Sequence, residues 1–134
     1  MLKKVLIIIA FVTLLFTVFI LKNSRGNIHN VQISDGNPSK IYSNAEIESA
    51  FQTIKDYFHS EFGGCTLTEL YYPGDTYLDE YKDWDSAEVI VILSSFDVNS
   101  FAGDGFNPNS TYSDWSWVLI RNESGDWEHF DHGY

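Results

Sequence analysis

Apolar positions fall into three patterns along this chain. From Val5 to Leu21 they form a run of 17 residues broken only by Thr13 and Thr17, with Lys3 and Lys4 ahead and Lys22 behind. A helix of that length spans roughly 26 Å, a little short of a bilayer core of about 30 Å, and snorkelling lysines make up the difference. Residues 1–22 therefore read as a single transmembrane anchor. A cleaved signal peptide competes with this reading. Its apolar segment is usually shorter, however, and only Ser24-Arg25-Gly26 approximates the small-residue cleavage pattern. A buried core helix is the third option. Positive charge nearly balances across the span, so orientation rests on the acidic remainder of the chain, which points to a single-pass protein of the cell membrane with its C-terminal domain outside.

Residues 23–41 (NSRGNIHNVQISDGNPSKI) lack a sustained period and are rich in Asn, Ser and Gly. They are expected to be a flexible linker, although Ile28, Val31 and Ile33 offer an edge strand as the alternative.

The second pattern opens a globular domain over residues 42–134. Ser43-Asn44-Ala45-Glu46 is spaced as a capping box, with Tyr42 and Ile47 placed for a hydrophobic staple. Ile47, Ala50, Phe51, Ile54, Tyr57, Phe58 and Phe62 then make one helical stripe that Gly63-Gly64 ends.

The third pattern is strand-like. Cys65–Tyr72 is β-prone and stops at Pro73-Gly74. Asp75–Trp84 puts Tyr77, Leu78, Tyr81 and Trp84 on one face of a short helix capped by Asp75 or Thr76. Ala87–Phe96 is apolar on both alternations and should be a central strand, and 112–122 with 126–132 should form a hairpin around Glu123-Ser124-Gly125. The fold class is α+β: a long helix packed on an antiparallel sheet whose other face is partly enclosed.

Charge changes the picture. All 19 acidic residues lie at or after Asp35, and from Asn27 onward only four basic residues oppose them, a net −15. Such a surface repels phosphate backbones, so nucleic acid is excluded as a partner, and flat adhesion to anionic lipid is disfavoured. The same charge suits capture of a basic partner by electrostatic steering, as an immunity- or inhibitor-type protein would do.

The candidate chemistry is sparse. Cys65 is the only cysteine and reads as a small buried hydrophobe rather than a nucleophile. On a regular strand His129 and Asp131 face one way and His132 the other, which argues against a metal site there. The loop 97–111 carries Asp104, Asn107 and Asn109, hard-oxygen residues that make a weak calcium candidate and are equally ordinary turn residues. Tyr112, Trp115 and Trp117 follow that loop and are the ligand-facing candidates. No other metal, cofactor or catalytic set is indicated.

The runs FGGCTLTELYY (62–72), AEVIVILSSFDVNS (87–100), GDGFNPNSTYSDWSWVLIRN (103–122) and GDWEHFDHGY (125–134) resemble a family of small uncharacterised exported proteins of Gram-positive bacteria, many of them described as lipoproteins. The resemblance spans about Tyr42–Tyr134 and implies a location and a domain but no chemistry. The chain departs from it in having no anchoring cysteine after the apolar run. The element order is similar to cystatin-like and NTF2-like folds, which host many functions. Together these features lead us to expect a non-enzymatic, membrane-anchored extracytoplasmic binding domain for a protein, peptide or small molecule. A small enzyme using the concave sheet face is the rival.

Overall fold

A computed structural model describes residues 1–84, 88–103 and 105–134. Helix α1 (Leu2–Asn23) is long and apolar enough to cross a membrane or to serve as a signal sequence, and none of its residues is buried. Strand β1 (Gln32–Ile33), helix α2 (Asn44–Glu61), strand β2 (Cys65–Tyr71), a 3-10 helix (Asp75–Tyr81) and strands β3 (Val89–Val98), β4 (Thr111–Arg121) and β5 (Trp127–Gly133) follow. The strands form one open mixed sheet in chain order, parallel between β1 and β2 and antiparallel elsewhere. The architecture is α+β.

Helix α2 begins where its capping box dictates. The Ser43 hydroxyl accepts the Glu46 amide at 3.3 Å, and the Glu46 carboxylate accepts the Ser43 amide at 2.8 Å. Its stripe buries Ala50, Phe51, Ile54 and Phe58 against Leu67, Leu70, Ile90, Ile92, Phe96, Trp117 and Leu119 of the sheet. Tyr42 seals the entry to the helix, its hydroxyl donating to the Val89 carbonyl at 2.6 Å and its ring edge-on to Trp127. Arg121 ties the helix start to the hairpin, pairing with Glu46 at 2.9 Å and Glu88 at 2.7 Å while its guanidinium lies 4.1 Å from the Trp127 ring. β3 is central, as expected from its apolar residues on both alternations. Ile90, Ile92 and Phe96 face α2, while Val89, Val91, Leu93 and the neighbouring Val118 are buried on the opposite, outer face. There the 3-10 helix gives partial cover. The strand expected from Ala87 begins at Val89, and Ala87 itself lies outside the described residues.

Two expectations are corrected. The segment after α1 does not run free. The Gly26 and Asn27 amides donate to the His59 and Cys65 carbonyls at 3.0 and 2.9 Å, Gln32 and Ile33 pair with Glu69 and Leu70, and the Asn37 amide donates to Tyr72 at 3.1 Å. The linker assigned to residues 23–41 is thus largely part of the folded unit, because β2 would otherwise present an unpaired edge. Close approach depends on glycine here: a Cβ at Gly26 would lie 2.2 Å from the Phe58 carbonyl oxygen. The second correction concerns the short helix, which is 3-10, ends at Tyr81 and has no side-chain cap. Instead of capping it, the Asp75 carboxylate accepts from the Ser39 hydroxyl, the Lys40 amide and the Tyr72 hydroxyl at 2.6–2.8 Å, which holds its pKa below the usual carboxylate value.

Three register shifts shape the sheet. Pairing slips by one residue at Leu67/Glu69 against β3, between Trp115 and Tyr112 on β4, and between His129 and Asp131 on β5. An extra residue in one strand reverses the in-out alternation beyond it. Each bulge therefore puts residues three apart on the same face: Leu67 with Leu70, Tyr112 with Trp115, and His129 with His132.

Candidate functional site

The inner face is closed by aromatic packing. Trp117 is fully buried, and its indole N–H donates to the Ser94 hydroxyl at 2.8 Å, itself a buried polar group. It is a core residue, which corrects its assignment as ligand-facing. Tyr112 stacks on Phe96 at 5.1 Å, and Trp115 meets Phe96, Phe106 and Tyr134 at 5.2–5.9 Å. Both are half-buried, so some of their surface is still available. The Trp115 indole N–H is buried without an acceptor among the described residues.

The loop before β4 is built by its Asn residues. The Asn109 side chain accepts from Ser100 at 2.8 Å, and Asn109 itself adopts a left-handed backbone (φ 55°). The Asn107 amide donates to the Tyr112 hydroxyl at 3.1 Å, and the Asn107 carbonyl accepts from Ser110. Asp104, the third calcium candidate, lies outside the described residues. The turn roles of Asn107 and Asn109 account for their presence.

The histidines differ from the regular-strand expectation. The bulge at Phe130 brings His129 and His132 together on the inner face, opposite Leu119 and Trp117, with a ring nitrogen of one 2.8 Å from a ring nitrogen of the other. Tyr57 of α2 stacks on His129 at 3.8 Å. Burial holds both histidines below the ordinary imidazole pKa. The neighbouring histidine lowers His129 further, and Asp131 opposes the shift in both. The pair is neutral at pH 7, bonded N–H to N. Among the described residues no group of three His, Cys, Asp or Glu side chains is placed to hold a metal ion. Cys65 is buried, and burial pushes its thiol up to about 11, so it holds no thiolate at neutral pH.

The outer face has a different character. The 3-10 helix stands off β3 and β4 and leaves a hollow of about 330 Å³ lined by Tyr77, Glu80, Tyr81, Val91 and Ser116. A smaller one of about 150 Å³ continues from Glu80, Tyr81 and Ser116 to Asp131 and Tyr134. Around them Tyr77, Trp84 and Phe130 are 39–52% exposed. Tyr81, Trp84 and Phe130 form a ladder of edge-to-face contacts, Tyr81 to Trp84 at 4.9 Å and Trp84 to Phe130 at 5.0 Å. Among the described residues Glu80, Asp83 and Asp131 have no cationic side chain within 4 Å, while Asp79 is matched by Lys82. Burial first, then the charges of Glu80 and Asp131, raises the Tyr81 phenol above its ordinary value. Exposed aromatic rings beside unpaired carboxylates can hold a cation twice, by charge and by the ring faces.

The expected helical face Tyr77-Leu78-Tyr81-Trp84 was the available signal for this surface. Spacing alone does not join Phe130 to it, because Phe130 reaches Trp84 only through the β5 bulge. No family model matches the chain, and no curated protein or solved structure is significantly similar to it. The function of this surface must therefore be inferred from its chemistry.

Proposed function

We propose that the protein is a non-enzymatic binding module, held at the cell membrane by α1 with its domain outside, that captures a basic peptide or protein segment on the acidic aromatic outer face. Its long helix across a curved sheet would be a cystatin-like or NTF2-like arrangement. The observation that carries this reading is the coincidence of three exposed aromatics, Tyr77, Trp84 and Phe130, with Glu80, Asp83 and Asp131, carboxylates left without a cationic partner among the described residues. Concave-face binding has less support, because α2 and its aromatic partners fill that side. Exposed rings give contact area at small conformational cost, and the net −15 steers a cation toward them. The test is titration with a Lys/Arg-rich peptide, followed by tryptophan emission from the wild type and from Trp84→Ala. Binding should weaken steeply from about 0.05 to 0.5 M salt, and Glu80→Gln with Asp131→Asn should weaken it at low salt. Salt-independent binding, or binding untouched by these substitutions, would remove the outer face from the account.

A further inference from the structure

Basic side chains gather at the junction of α1 with the otherwise acidic domain. Lys22, Arg25 and His29 from the chain leaving the helix, His59 from α2, Thr66 from β2 and Asn99 beyond β3 line a cavity of about 310 Å³. Its walls are held in place. Gly26 and Asn27 are hydrogen-bonded to α2 and β2, the Asn99 side chain donates to Asn23 at 2.9 Å, and Phe19 packs edge-on against Phe101 at 4.8 Å. His59 Nδ1 lies 2.8 Å from the Gly26 carbonyl, which can only accept, so that nitrogen carries the proton. Nε2 is left to meet an Arg25 guanidinium nitrogen at 3.4 Å. Among the described residues neither Lys22 nor Arg25 has a carboxylate within 4 Å, although Arg121 engages two. In a domain with 19 acids, cations left unpaired around a hollow mark a place for an anion.

We propose that this cavity binds the phosphate of an anionic lipid headgroup. The proposal rests on the reading of α1 as a retained membrane anchor. The position selects a lipid over a free anion, because the cavity starts at Leu21 and Lys22, where the apolar run of α1 ends and headgroups begin. Phe101, 61% exposed and seated against Phe19, adds apolar surface at the same depth. Flat adhesion to anionic lipid is disfavoured by the body of the domain. A single basic collar at the helix end attaches the domain there while its acidic body is repelled.

The test uses the full chain in mild detergent with equal phosphatidylglycerol and phosphatidylcholine, and native mass spectrometry to count retained lipid. Phosphatidylglycerol should be favoured, and Lys22→Gln and Arg25→Gln should each reduce its retention about fivefold, with Lys82→Gln as the charge-matched control. Equal retention of the two lipids, or an undiminished preference in the double variant, overturns the site. Release of the lipid by millimolar inorganic phosphate, with an equal rise in Tm, reassigns it to the free ion and overturns the lipid assignment. Should Arg25→Gln fail to fold, Lys22→Gln alone decides. The mass of the mature protein from cells separates the two levels. A terminus near Asn27 removes Lys22 and Arg25 and ends both the anchor reading and this one, whereas an intact chain without lipid preference ends only the site.

Discussion

The two faces of the sheet are made from similar residues and put to opposite uses. On the inner face Phe51, Phe58, Phe96 and Trp117 are buried together under α2, and the polar atoms among them are mostly matched, as in Trp117 to Ser94. On the outer face Val89, Val91, Leu93 and Val118 are buried, but the aromatics above them, Tyr77, Trp84 and Phe130, stand open beside carboxylates. The difference lies in the covering element. An 18-residue helix with a continuous stripe can close a sheet face, while a seven-residue 3-10 helix without a side-chain cap cannot. Apolar rings left open by a short cover are available for binding.

The largest expected effect lies on the inner face. Phe58→Ala and Trp117→Ala should each destabilise by about 3–5 kcal/mol in denaturant unfolding, since both leave a cavity in a filled core. A loss below about 1 kcal/mol at both positions would show that this face is not the core. Gly26→Ala should cost about 1–3 kcal/mol through overpacking against Phe58, and hydrogen exchange at the Asn27 and Leu67 amides should quicken. A free tether would show neither change. Arg121→Ala should cost about 1–2 kcal/mol, because it removes two ion pairs and a stacked cation at a half-covered position. Retained stability there would mean that the apolar contacts and the Trp127 indole hydrogen bond to the Glu46 carbonyl, at 3.1 Å, suffice to join α2 and the hairpin.

Acidity offers a finer probe. His129 and His132 have folded-state pKa values below the unfolded value of about 6.5. The unfolded chain therefore binds protons first. Their contribution is complete above that value and declines as pH falls toward the depressed folded values. Tm should drop between about pH 7.5 and 5.5 more in the wild type than in the His129→Gln/His132→Gln double variant. Parallel curves would place the two rings in solvent. The smallest stability effect belongs to the outer face: Trp84→Ala with Phe130→Ser should stay within about 0.5 kcal/mol of the wild type yet lose the basic peptide. Destabilisation on the scale of Phe58→Ala would make those rings core and erase the contrast between the faces.

Much of the architecture was legible because it is local. The capping box, the stripe from Ile47 to Phe62, the doubly apolar β3 and the hairpin turn each depend on neighbours within a few residues. Two parts were not. Residues 24–40 have a composition suited to a tether, yet they dock because β2 offers an open edge. The outer surface joins Trp84 to Phe130, residues whose proximity is a property of the fold alone.

The sequence by itself determined the apolar span, the charge asymmetry, the order of helix and strands, and the inward direction of Phe51 and Phe58, all of which follow from spacing and composition. Tertiary structure alone decided the pairing register. Alternation predicts a strand's faces only while the pairing advances residue for residue. A bulge is set by how two strands fit, and the extra residue leaves no mark on either strand's apolar pattern. Asp114, at the β4 bulge, adopts a left-handed backbone at φ 56°, which Asp tolerates better than most residues. Three such slips paired Leu67 with Leu70, Tyr112 with Trp115 and His129 with His132. The last of them also left Phe130 on the open side, beside Trp84.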